Sequence, residues 1–141
     1  MAITGGCLCG AVRYSIAASK PLVTRQCWCR LCQYLGGGSS TVNSGFQSAD
    51  FTVTGELARH ETVADSGNPM VRSFCPACGT PMFSETPARP HLRFIRVGTL
   101  DDTSLAKPEM TIWTAEAPDW ACIDPDVPRF ESQPPPPAVR S

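Results

Sequence analysis

The sequence lacks an excess of charge of either sign. Its 141 residues carry 12 Lys+Arg and 13 Asp+Glu, a formal net charge of −1. Without a run of Lys/Arg there is no electrostatic footprint for a nucleic acid, so none is expected as a partner. No apolar run approaches the roughly 18 residues of a transmembrane helix, and no membrane partner is expected. The first residues, "MAITGGCLCG", lack a basic segment followed by an apolar one, so no signal peptide is read and a cytoplasmic location is expected. A long helical period is also missing, and imidazole is scarce, with only His60 and His91. Cysteine, in contrast, is abundant at 8 residues, as are proline at 14 and glycine at 11.

Hydrophobic residues make up 42% and charged residues 18%, the balance of a globular chain long enough for one domain with a real core. Proline and glycine cut it into short apolar-alternating pieces. "AVRYSIA" puts Val12, Tyr14 and Ile16 on one face; "FTVTGE", "LARHETV", "VRSF", "HLRFIRV" and "EMTIWT" read as extended in the same way. Only Arg30 to Leu35 suits a short helical turn, ended by "GGGSS". The expectation is a mostly β fold with little helix, an all-β sandwich or an open curved sheet. The domain is expected over residues 1–131. Residues 132–141, "SQPPPPAVRS", read as a Pro-rich extended or disordered tail. No internal repeat is present.

In a reducing compartment, thiols at short spacing suggest metal ligands before disulfides or redox pairs. Three clusters stand out: "CLC" (Cys7, Cys9), "CWCRLC" (Cys27, Cys29, Cys32) and "CPAC" (Cys75, Cys78). "CPACGT" has the shape of a zinc knuckle, with Pro76 fixing the turn and Gly79 free to take φ > 0. An extended Cys7 and Cys9 would sit about 6.7 Å apart. Sulfurs on one tetrahedral zinc lie about 3.8 Å apart, so "CLC" must bend, as the flanking Gly5, Gly6 and Gly10 permit. Cys7, Cys9, Cys75 and Cys78 can then close a structural zinc site. Cys27, Cys29 and Cys32 remain to cap one face of a second zinc with an open position, the mark of a catalytic metal. Other partitions stay open at this point. The triplet could pair with the knuckle, Cys122, His60 or His91 could supply its fourth ligand, and the thiolates could hold iron–sulfur.

These residues carry a resemblance. "TGGCLCGAVRY", "CWCRLCQ", "FCPACGTPMF" and "VGTLDD", with "IWT" and "APDW" behind them, resemble the glutathione-dependent formaldehyde-activating enzyme family, in its order and over about residues 3 to 131. The family includes proteins like centromere protein V. The resemblance implies a β-tent of short antiparallel sheets organised around a four-cysteine zinc site. It implies two zinc ions per chain, one held by Cys7, Cys9, Cys75 and Cys78 and one catalytic at Cys27, Cys29 and Cys32. It further implies a carbon–sulfur lyase or synthase that joins glutathione and formaldehyde as S-hydroxymethylglutathione. The family often has Cys-His-Cys in the second cluster; here Trp28 takes the histidine's place. If Trp28 faced the open position, the pocket would be smaller and drier than in glutathione-using relatives.

Three thiolates around Zn²⁺ leave a net charge of −1, which favours delivery of a bound thiol over activation of water. The expected partners are therefore a small-molecule thiol and an aldehyde or other small electrophile; a homodimer is left open. Arg25, Arg30 and Arg96 are candidates to hold carboxylates of a peptide-like thiol. The glycines of "YLGGGSS" could let backbone approach a ligand. Among the tryptophans, Trp113 and Trp120 are expected to pack in the core. Asp101 and Asp102 read as turn residues with a lesser claim to catalysis. The alternative class is a non-catalytic zinc scaffold that binds a partner. It would show the triplet closed by a fourth protein ligand, or a flat apolar patch.

Overall fold

The computed structural model describes residues 2–64 and 67–135. The chain is mostly β, as expected, in two sheets. Strands β1 (Ile3–Gly6), β2 (Arg13–Ile16) and β5 (Phe51–Thr54) form a small sheet in the order β1-β2-β5. The larger sheet has seven strands in the order β10-β3-β4-β9-β8-β7-β6. These are β3 (Val23–Cys27), β4 (Thr41–Gln47), β6 (Ala58–Val63), β7 (Pro69–Phe74), β8 (Pro81–Glu85), β9 (Leu92–Arg96) and β10 (Met110–Ile112). Among the described residues one α-helix, α1, spans Arg30–Leu35, where the short turn was expected, and four short 3-10 turns accompany it.

The strand expectations hold at each quoted segment. Val12, Tyr14 and Ile16 are buried on the face that alternation assigned to them. They meet Phe46, Met82, Phe83 and Ile95 from the large sheet in one core. Phe83 packs edge-on to Tyr14 and Phe51, with centroids 5.5 and 5.7 Å apart, and Tyr14 and Phe51 are tilted at 6.2 Å. The buried Tyr14 hydroxyl is not orphaned, because it shares a 2.8 Å hydrogen bond with Thr99. One pairing departs from the antiparallel expectation: β10 runs parallel to β3, with Ile112 beside Cys27. The crossover needed for a parallel pair is supplied by the whole of the domain between them.

Beyond β10 the chain stays attached. Thr111 N–H donates to Pro128 O and Phe130 N–H to Thr111 O, at 3.0 and 2.9 Å. Gln133 accepts the Trp113 Nε1–H at 3.0 Å, and Pro134 is buried. The first residues of the expected tail thus lie against the domain; residues 136–141 of that tail lie outside the described residues.

Candidate functional site

The first cluster draws on two distant hairpins. Cys7 ends the run after β1, and the turn Cys7–Gly10 closes with Gly10 N–H on Cys7 O at 3.1 Å. Gly10 takes φ +82, which lets the chain bend sharply enough to bring Cys7 and Cys9 sulfurs within 3.6 Å. The knuckle after β7 brings Cys75 and Cys78. Gly79 takes φ +77 and returns its N–H to Cys75 O at 2.8 Å. Cys9 and Cys75 sulfurs are 3.8 Å apart, and all four sulfurs lie within 4.8 Å of one another. Those separations match the roughly 3.8 Å of four thiolates on one zinc and are far longer than the ~2.05 Å of a disulfide. Backbone N–H groups of Val12 and Cys78 donate to the Cys7 and Cys75 sulfurs at 3.2 and 3.5 Å. The Thr80 hydroxyl and backbone pull the Cys78 thiol down to about 5. Donor type and spacing fit a metal ion, and the set is complete at four.

The second cluster is local. Cys27 ends β3, and Cys29 caps α1, its sulfur accepting Cys32 N–H at 3.4 Å. One helical turn then places Cys32 beside the other two. The three sulfurs lie within 4.8 Å of one another and all three residues are buried. Gln33 locks the turn, donating from Nε2 to Trp28 O at 2.8 Å and to Glu116 O at 3.0 Å. Thiols packed this closely cannot all ionise by themselves. Hydrogen bonds from Cys27 and Cys29 pull Cys32 down to about 2, while the same bonds, with burial, push Cys27 well above the ordinary thiol range. A cation that neutralises all three removes this conflict, so the donor set fits a zinc ion with three protein ligands.

None of the proposed fourth ligands joins the triplet. Cys122, His60 and His91 are exposed, and none belongs to either cluster. Instead, the three cysteines line a cleft of about 110 Å³ on one face of the large sheet. Arg25, Asn43, Phe94, Arg96 and Trp113 share its walls. Of the three arginines expected near a ligand, Arg25 and Arg96 reach the cleft. Arg30 does not: it is exposed, donating to Gln33 Oε1 at 2.7 Å and lying over the Tyr34 ring.

The three tryptophans take different places. Trp28 is 2% exposed and does not line the cleft, packing edge-on to Trp120 with centroids 6.2 Å apart. Side chains of adjacent residues in an extended segment point apart, so ligands at Cys27 and Cys29 turn Trp28 the other way. Trp113 packs against the cluster of Cys27, Cys29, Cys32 and Ile112, as expected, and also walls the cleft, whereas Trp120 is 67% exposed. Trp113 is also the one non-glycine among the described residues with positive φ, at 58. That conformation costs about 1–3 kcal/mol and is held here by the Gln133 hydrogen bond. Gly36 to Ser40 stay off the cysteine-lined cleft. Asp101 pairs with Arg13 and accepts Thr4 Oγ1–H at 2.7 Å, and Asp102 caps a 3-10 turn through Ser104; neither faces the cleft.

Asn43, Arg72, Arg89 and Phe94 escaped the sequence reading although all line the cleft. For Phe94 and Arg96 a signal existed, since residues two apart on β9 share a face. Arg72 sat in a segment already read as a strand, but which of its faces mattered depended on a neighbour far along the chain.

Comparison with known proteins agrees with this geometry. The family model described as glutathione-dependent formaldehyde-activating enzyme matches residues 2–116. A protein of Halomonas elongata, provisionally named for the same activity, is 27% identical over 131 residues, covering 88% of this chain and 82% of its own. A crystal structure of a Rhodobacter sphaeroides protein has the same fold, with a TM-score of 0.56 at 22% identity. The match covers 70% of this chain and 87% of that one.

Proposed function

This chain belongs to the glutathione-dependent formaldehyde-activating enzyme family, and from that premise we propose that it is a zinc-dependent enzyme joining a thiol such as glutathione to formaldehyde or another small electrophile. The reverse cleavage, a carbon–sulfur lyase reaction, uses the same site. The observation that carries the reading is that three buried thiols cluster without a fourth protein ligand among the described residues and open on a cleft. A binding module would be expected to close that position. In this reading Cys7, Cys9, Cys75 and Cys78 hold a structural zinc, and Cys27, Cys29 and Cys32 hold the catalytic one.

A zinc ion held by the triplet would supply an open coordination position and stabilise a thiolate at neutral pH. In the forward direction the substrate sulfur forms a bond to the aldehyde carbon, the carbonyl π pair moves to oxygen, and the thiol proton ends on that oxygen. The chain's own residues shape the site for this. Ile112, Phe94 and Trp113 give it apolar walls that exclude water, and Gln33 fixes the turn that aims Cys29 and Cys32. Arg25 and Arg96, beside the triplet, favour anionic sulfur electrostatically. The cleft is smaller than the ~300–1,000 Å³ typical of sites that enclose a whole ligand. It takes the reacting end of a thiol and a small carbonyl, and most of a tripeptide stays outside.

The test is the rate of S-hydroxymethylglutathione formation from glutathione and formaldehyde, followed by exchange NMR with zinc-loaded protein. Acceleration above the uncatalysed reaction that disappears in Cys29→Ser is expected. A wild-type rate equal to background, across other thiols and aldehydes too, would contradict the reading.

A further inference from the structure

The large sheet brings together positive charge that the cleft does not itself neutralise. Arg25 on β3, Asn43 on β4 and Arg96 on β9 stand side by side in one cross-strand row, Arg25 opposite Asn43 and Asn43 opposite Arg96. The neighbouring row holds Arg72 on β7, Ser84 on β8 and Phe94 on β9. Arg89, from the connection before β9, completes the set of four guanidiniums lining the cleft. At about 4.8 Å between strands and about 6.7 Å per residue pair along one, Arg25 stands within a short side-chain reach of Cys27, which follows it on the same strand face.

These guanidiniums are incompletely satisfied. Arg25 lies over the Phe94 ring at 4.6 Å, yet its Nε and one Nη are buried with no hydrogen-bond partner among the described residues. The Nε atoms of Arg72 and Arg96 are also buried without one, although Arg72 donates to Thr62 and Arg96 to Asn43. Buried donors without partners are costly, and several converging on one cleft need a common explanation. Protein acids do not provide it. The cleft's one carboxylate among the described residues, Glu85, lies 3.4 Å from Arg93. Three thiolates neutralise part of the charge, but a dication bound to them takes most of that back.

We infer that the arginine row is a carboxylate subsite, so that one reactant brings an anionic group into the cleft beside the cysteine triplet. Planar carboxylates match the paired N–H geometry of guanidinium, and Asn43 between the two arginines holds Arg96 in place to receive one. Formaldehyde has no such group. The carboxylate comes either from the thiol, as in glutathione, or from a small oxo acid acting as the electrophile. This inference rests on the reading of the cleft as the substrate site, but it is tested by binding rather than turnover.

The experiment is calorimetric titration of the zinc-loaded full chain with S-methylglutathione, its diethyl ester, pyruvate and acetone. At least one of the two carboxylates should bind, more weakly as salt is raised. Its neutralised counterpart should bind at least about ten-fold less tightly, and Arg25→Gln and Arg96→Gln should each weaken the carboxylate by a similar factor. Binding of S-methylglutathione alone assigns the carboxylate to the thiol; binding of pyruvate alone assigns it to the electrophile. The inference is overturned if neither carboxylate binds, if ester and acid bind alike, or if the folded arginine variants bind as wild type does. Should those variants not fold, the acid–ester comparison on wild type decides. Carboxylate binding without thiol–aldehyde turnover would sink the proposed activity alone. Turnover with equal KM for glutathione and its diester, together with equal binding of pyruvate and acetone, would sink the subsite alone.

Discussion

The sulfurs of Cys9 and Cys75 lie 3.8 Å apart although 66 residues separate them in the chain. One sits in the hairpin leaving β1 and the other in the knuckle leaving β7, so the four-cysteine cluster joins the small sheet to the large one. Binding at a closed site is folding free energy, on the order of 10 kcal/mol for a structural zinc. Cys75→Ser should therefore yield insoluble or unfolded protein by circular dichroism. A soluble variant with an unchanged melting temperature would remove the structural role.

The two clusters should part under chelation. Four thiolates hold a metal more tightly than three, and the triplet opens on a cleft. Graded addition of a chelator to the loaded protein is expected to remove one equivalent of zinc with the fold intact, then the second together with unfolding. Metal content and far-ultraviolet circular dichroism read in parallel would show one joint step if the sites were equivalent.

Trp28 is where a polar ring often stands in the family, but it packs against Trp120 and away from the cleft. Trp28→His should thus act on stability, costing about 2–4 kcal/mol for the lost buried volume. Turnover by the folded fraction should stay the same. A faster rate of thiol addition in the variant would mean that the side chain governs the site after all.

Asp101 contributes a pH dependence to stability. Its carboxyl is held below the ordinary value by the hydrogen bond from Arg13 and then by that from Thr4. A depressed folded pKa stabilises the fold above the unfolded value near 3.9, and that stabilisation is lost as pH falls through the lower folded value. The pair is nearly half exposed on both sides, so the effect is modest. Asp101→Asn should melt slightly below wild type at pH 6, and the difference should vanish in strong acid. A gap that persists or grows at low pH would rule out the ion pair as its cause.

Much of this was legible in the chain because it depends on local spacing. Period-two alternation located β2, β5, β6, β7, β9 and β10, and the ligand-poor break at "GGGSS" bounded α1. Spacing, tetrahedral sulfur separation and ligand count favoured this partition of the cysteines, the family resemblance implied it, and each cluster comes together. The polar strands β3 and β4 were not singled out, since "VTRQC" and "TVNSGFQ" carry a cleft on one face and show no clean alternation. The cleft walls were harder still. Arg72, Arg89 and Arg96 meet through the successive pairing of β4 with β9, β9 with β8 and β8 with β7, and no short window encodes which face of a sheet a distant loop will leave open. Trp113 came to line the cleft for the same reason, because the segment around Phe130 and Gln133 folds back on β10.

The most direct test of the account is optical titration with cobalt(II) in place of zinc, followed by addition of glutathione. Two equivalents should bind, each giving thiolate charge-transfer bands, and Cys29→Ser should deplete only those of the ion at the triplet. Glutathione should then change the visible bands of the ion bound by Cys27, Cys29 and Cys32 and leave those of the four-cysteine ion untouched. A single bound equivalent, or two whose spectra both ignore added thiol, would contradict an open metal position at the triplet.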